Sequence, residues 1–137
     1  MRLLILISML SLALSCASTN YSKEREFEFV SFVDEESLMI GAQNILIDEG
    51  FQITEQNEDE DELVATKKAT INQEDITFII EIEYEDDKSV EIETQAEIIG
   101  ADGSKRKEYY TNKVYPEDYK SYFYNALMRI NEISKGN

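Results

Sequence analysis

Two stretches of strict alternation constrain this chain more than anything else in it. In Ile76 to Tyr84, the residues Ile76, Phe78, Ile80, Ile82 and Tyr84 alternate with positions that include Glu81 and Glu83. In Ser89 to Ile99, Val90, Ile92, Thr94, Ala96 and Ile98 alternate with Glu91, Glu93, Gln95 and Glu97. Period two with one apolar face predicts half-buried antiparallel strands, here joined through Asp86-Asp87-Lys88. Keeping Ile82 level with Ile92 across an odd-length loop sets Glu83 opposite Glu91 and Glu81 opposite Glu93. The other face of such a sheet is therefore acidic, and its apolar face needs a cover.

Two amphipathic helices can supply that cover. Within Glu35 to Glu49, Leu38, Ala42, Ile45 and Leu46 fall at i, i+4, i+7 and i+8. Asp34 is a candidate N-cap, Glu35 and Glu36 suit the positive first turn, and Gly50 supplies a stop. A last helix is expected from Pro116, with a stripe of Tyr119, Phe123, Ala126, Leu127, Ile130 and Ile133 and with Gly136 beyond its end. Further strands are expected at Phe27–Val33, Phe51–Glu55, Leu63–Ile71 and Arg106–Tyr115, the last returning through the Asp102-Gly103 hairpin signal. The order is β-α-β-β-β-β-β-α. Its economical solution is a two-layer α+β domain, with an antiparallel sheet of about five to six strands and both helices on one face.

The first sixteen residues carry a different message. Arg2 precedes twelve mostly apolar residues, Leu3 to Leu14, and then come Ser15 and Cys16, the only cysteine. That run is too short to span a bilayer and suits the apolar part of a secretory signal. The arrangement resembles a bacterial lipoprotein signal peptide, which implies cleavage before Cys16 and lipidation of that cysteine. Lipid chains on Cys16 would exceed the two-signal threshold for stable anchoring. On this reading residues 1–15 are the signal, 16–26 a lipidated cysteine and polar tether, and 27–137 a single domain. No acid lies between Ala17 and Tyr21. By resemblance to known sorting signals, that favours the outer membrane, facing the periplasm.

Composition narrows the chemistry. The chain has 29 acids against 13 bases and a net charge of −16, and losing Arg2 with the signal makes it one unit more negative. Phosphate repels such a surface, so nucleic acid is excluded as a partner and a cationic or neutral one is favoured. Histidine is absent, which removes the commonest general base and metal ligand. Cys16 is committed to the anchor, and the glycines Gly41, Gly50, Gly100, Gly103 and Gly136 are scattered at caps and turns rather than gathered in a phosphate loop. The run Asn57-Glu-Asp-Glu-Asp-Glu62 lacks the alternate spacing and the sixth-position glycine of an EF-hand loop, and reads as a solvated hairpin tip. The expectation is a non-enzymatic domain without cofactor or resident metal. A hydrolase using paired carboxylates stands third, because acids on an exposed sheet face would not have their pKa raised by burial.

Two surfaces are candidates for function. The acidic sheet face, Glu81, Glu83, Glu91, Glu93 and Glu97, sets like charges opposite one another, which is destabilising. Salt, lysines of neighbouring strands (Lys67, Lys68, Lys105, Arg106, Lys107), or a bound cation or cationic ligand could relieve it. The plainer reading is a solvated face that resists aggregation. The second surface lies on the helices. Ile40 and Ile47 stand opposite the first apolar stripe, and Tyr124 and Met128 stand off the last one. A second apolar pair on each of two helices suggests a contact surface for another envelope protein.

Ala42 to Ala65, in the form Ala-x-x-Ile-Leu-x-x-x-Gly-Phe-x-Ile … Asp-x-Leu-x-Ala, resembles a phrase met in small periplasmic lipoprotein domains. Among these are the accessory lipoproteins of the outer-membrane β-barrel assembly machinery. The resemblance implies a helix-and-sheet domain used for protein contacts, and it carries over no functional residue.

Overall fold

A computed structural model of the chain describes residues 26–57, 61–110 and 117–136. Cys16, Pro116, most of the acidic hairpin tip and the far end of the expected last strand lie outside the described residues. The elements are β1 Glu26–Val30, α1 Glu35–Asp48, β2 Gln52–Asn57, β3 Glu62–Ile71, β4 Glu74–Tyr84, β5 Ser89–Ile99, β6 Lys105–Tyr110 and α2 Glu117–Ser134. The expected order β-α-β-β-β-β-β-α is the observed one.

The six strands form one open antiparallel sheet. β2 to β6 run as a meander, whereas β1 crosses over through α1 to the far side of β5, giving the order β1-β5-β4-β3-β2. β5 shares one edge between two partners. β1 pairs with its Ser89–Glu93 half and β6 with its Thr94–Ile99 half.

Local chemistry fixes the ends of α1. The Asp34 carboxylate accepts hydrogen bonds from the backbone N–H of Ser37 at 2.9 Å and its hydroxyl at 2.8 Å, and these hold its pKa below the usual carboxylate range. At the other end Gly50 takes φ +88°, its N–H donates to Ile47 O, and the Phe51 N–H donates to Leu46 O, a Schellman stop. Lys67 completes the cap, its ammonium donating to Glu49 O at 2.7 Å beside the Phe51 and Tyr122 rings.

Leu38, Ala42, Ile45 and Leu46 of α1 are buried with Tyr119, Phe123, Ala126, Leu127 and Ile130 of α2, over the apolar face of β4 and β5. Phe78 sits at the centre, edge-on to Tyr119 and Phe123 with centroids 5.4 and 5.2 Å away, and stacked on Tyr122 at 4.4 Å. Such aromatic geometry adds to what area burial alone contributes.

Two sequence expectations need correction, and one turn carries no sequence signal. The first strand stops at Val30 rather than Val33, because Ser31 turns the chain. Its hydroxyl donates to Val33 O and accepts from Val33 N–H, and its own N–H goes to Lys88 O. Gly41 is neither cap nor turn but sits inside α1, where a Cβ would lie 2.5 Å from Ile133 Cδ1; it lets the helices approach closely. The β3–β4 connection is a two-residue turn, Asn72-Gln73, with φ of 53° and 66°, a left-handed pair that Asn-Gly would have announced.

Candidate functional site

The register brings the acids together as the alternation implies. Glu83 pairs with Glu91 and Glu81 with Glu93 across β4 and β5. The neighbouring strands extend both rows. Glu62 pairs with Glu83 and Glu28 with Glu91, so one line of directly paired carboxylates crosses four strands. Val64 and Glu26 flank the second row, and Glu97 stands apart, exposed and opposite Lys107.

Most of the lysines expected to relieve this charge are elsewhere. Lys67 pairs with Phe78 and Arg106 with Ile98, which puts both on the helix-covered face. Lys67 is spent on capping α1, and Arg106 forms a bidentate bridge to Glu74 and a bond to Glu108. Lys68, Lys105 and Lys107 do share the acidic face, but at its opposite end, level with Thr77, Ile99 and Glu97. Two shallow clefts of about 350 and 610 Å³ lie at that lysine end and share Thr77 and Ile99. Neither is lined by Glu81, Glu83, Glu91 or Glu93.

Carboxylates so stacked cannot all ionise at ordinary pKa. Partial burial pushes Glu81 up first, and the hydrogen bond its carboxyl donates to Glu62, with the charges of Glu62, Glu93 and Glu83, carries it to about 7. Glu83 is raised by burial and then by Glu85, Glu91 and Glu62. This corrects the expectation that burial raises no pKa on this face. Side chains from four strands partly desolvate one another there. A carboxyl near 7 beside ionised neighbours could hold a proton or exchange it for a cation. Glu83, Glu85 and Glu91 also offer carboxylate oxygens all within 4.8 Å of one another.

The helix layer presents the opposite surface. Ile40, Ile47, Tyr124 and Met128 are 52, 53, 49 and 43% exposed, against 9% or less for the buried stripes of the same helices. Ser37 and Asn44 on α1 and Ser121 and Asn125 on α2 are exposed, uncharged positions near them, while exposed Glu36, Lys120 and Glu132 stand one helical turn from Ile40, Tyr124 and Met128. Arg129 ties the layer together, bridging to Asp48 and Glu49 at the end of α1. Lys120 lies over the Tyr124 ring, its nitrogen 5.6 Å from the centroid.

Sequence reading missed several residues. Glu28 and Glu62 join the acidic rows, and only strand order reveals them. Gln95, between Ile79 and Tyr109 on the acidic face, is just 6% exposed, and its Oε1 has no partner among the described residues. Phe32, read as part of the first strand, is 78% exposed once Ser31 bends the chain, and Val30 beside it is 59% exposed. Within the described residues no helix is long and apolar enough to cross a membrane.

No family model matches this two-layer α+β chain, and no curated protein or solved structure matches it either. Its chemistry has to be read from its own residues.

Proposed function

We propose that this protein is a lipid-anchored envelope lipoprotein, held to the outer membrane through Cys16, whose α+β domain is a non-enzymatic contact module for another envelope protein. One observation carries the contact reading: the outward surfaces of both helices bear four large, half-exposed apolar side chains, Ile40, Ile47, Tyr124 and Met128. Interface cores are depleted of charge and enriched in aromatic and methionine side chains, as at Tyr124 and Met128. The anchor reading rests on the apolar run ahead of a unique Cys16. A photo-crosslinking residue in place of Ile40 or Tyr124, in the native host, should trap one discrete envelope protein, and one in place of Lys68 should not. Cys16→Ser should release the protein from membranes and end incorporation of labelled fatty acid. Continued membrane partitioning and labelling would remove the anchor.

A second reading has one observation in its favour. The grouped oxygens of Glu83, Glu85 and Glu91 suit a hard cation such as calcium, which takes several carboxylate ligands. Millimolar calcium that raises the melting temperature of the native protein, but not of Glu91→Lys, would favour a cation-binding module over a contact module.

A further inference from the structure

We infer that the partner of the helix layer is a basic amphipathic helix, laid along the outer surface of α1 and α2 and seated on Ile40, Ile47, Tyr124 and Met128. This rests on the contact reading above and names the chemistry of the partner.

Three features of that surface select such an occupant. α1 and α2 form a layer tied by Arg129 and pinched at Gly41, so a third helix can lie against both. Helices pack through rows of residues spaced three and four apart. Ile40 and Ile47 are seven apart on one helix and Tyr124 and Met128 four apart on the other, the spacing that an i, i+3, i+4, i+7 stripe can meet. Finally, the α1 margin is acidic. α1 contains Glu35, Glu36 and Asp48 and no base. On α2 Glu132 bridges to Lys135 at 2.8 Å and Arg129 bridges to Asp48 and Glu49, so the acidic excess of the layer lies on α1, at Glu35 and Glu36.

Charge complementarity therefore favours lysine and arginine flanking the partner's apolar stripe, which would also speed encounter. The same charges argue against a second copy, which would set acidic margin against acidic margin and bring together two chains of −16 each. They argue equally against an anionic membrane surface.

The test uses the full-length chain in mild detergent and two synthetic peptides of leucine and lysine. One places leucine at i, i+3, i+4 and i+7; the other has the same composition scrambled. Titration calorimetry and amide shift mapping read affinity and place. The patterned peptide should bind at least tenfold more tightly than the scrambled one, and shifts should centre on residues 37–47 and 121–128. Ile40→Lys with Tyr124→Lys should weaken it at least tenfold, and Glu81→Gln with Glu91→Gln less than twofold. Equal binding of both peptides, shifts centred on β4 and β5, or concentration-dependent self-association through the helix layer would each overturn the inference. The failures are separable. A discrete protein crosslinked at position 40 or 124 that docks by a strand or loop removes the basic helix and leaves the contact module standing.

Discussion

The two outward surfaces of this domain are built on opposite principles. The open face of the sheet stacks carboxylates in directly paired positions across four strands and keeps its lysines at the far end. The outer face of the helix layer carries sparser charge of both signs and exposes Ile40, Ile47, Tyr124 and Met128. Both surfaces clothe the same core. The difference teaches where each kind of information resides. Electrostatic stress accumulates where water and salt can screen it. Desolvation costs less where apolar side chains replace charge.

The comparison presupposes that the layer between these surfaces is rigid, and the largest expected effect tests that. Phe123 is fully buried and packs edge-on against Phe78. Phe123→Ala should lower unfolding free energy by about 3–5 kcal/mol in a denaturant titration. A loss under about 1 kcal/mol would mean that α2 is not seated on the sheet, and its outward face would then have no fixed identity. Removing the α1 cap comes next. Asp34→Ala should cost about 1 kcal/mol by the same measurement.

Smaller effects probe the acidic face itself. Glu83 is flanked by Glu62 and Glu91 in register, so Glu83→Lys should be neutral or stabilising by up to about 1 kcal/mol. A clear loss of stability without added metal would show that these carboxylates are held by something other than water. The protonation of Glu81 gives the comparison a pH axis. Its folded-state pKa of about 7 lies above the ordinary 4.5, so between those values the folded chain holds a proton that the unfolded chain has released. This contribution to stability is full below about pH 4.5, falls as pH rises, and is lost by about pH 7. Melting temperatures measured from pH 5 to 8 should therefore decline more steeply for the native protein than for Glu81→Gln.

Much of this architecture is legible in the sequence, and particular residues show why. Alternation in β4 and β5 reports directly which side chains face the core, and the odd loop length between them yields the pairing of Glu83 with Glu91. The helical stripes are equally plain, since Leu38, Ala42, Ile45 and Leu46 are buried and Ile40 and Ile47 are not. Strand order is not legible. Placing β1 beside β5 is a long-range choice, and with it goes Glu28 in the acidic row. Turn chemistry misleads at Asn72-Gln73, where tertiary pairing of β3 with β4 imposes a left-handed backbone on a glutamine. Gln73→Gly should therefore stabilise the hairpin by about 0.5–1 kcal/mol, a gain readable as a higher denaturant midpoint.

The smallest expected change in stability belongs to the helix layer's own surface, and it carries the central claim. Ile40→Lys combined with Tyr124→Lys alters only half-exposed positions and should shift unfolding free energy by no more than about 0.5 kcal/mol. The decisive measurement is crosslinking of that variant in the native host, using a fixed photo-reactive group at position 47. The account expects the discrete crosslinked envelope protein to disappear while the domain stays folded. An undiminished crosslink from the folded variant would contradict it.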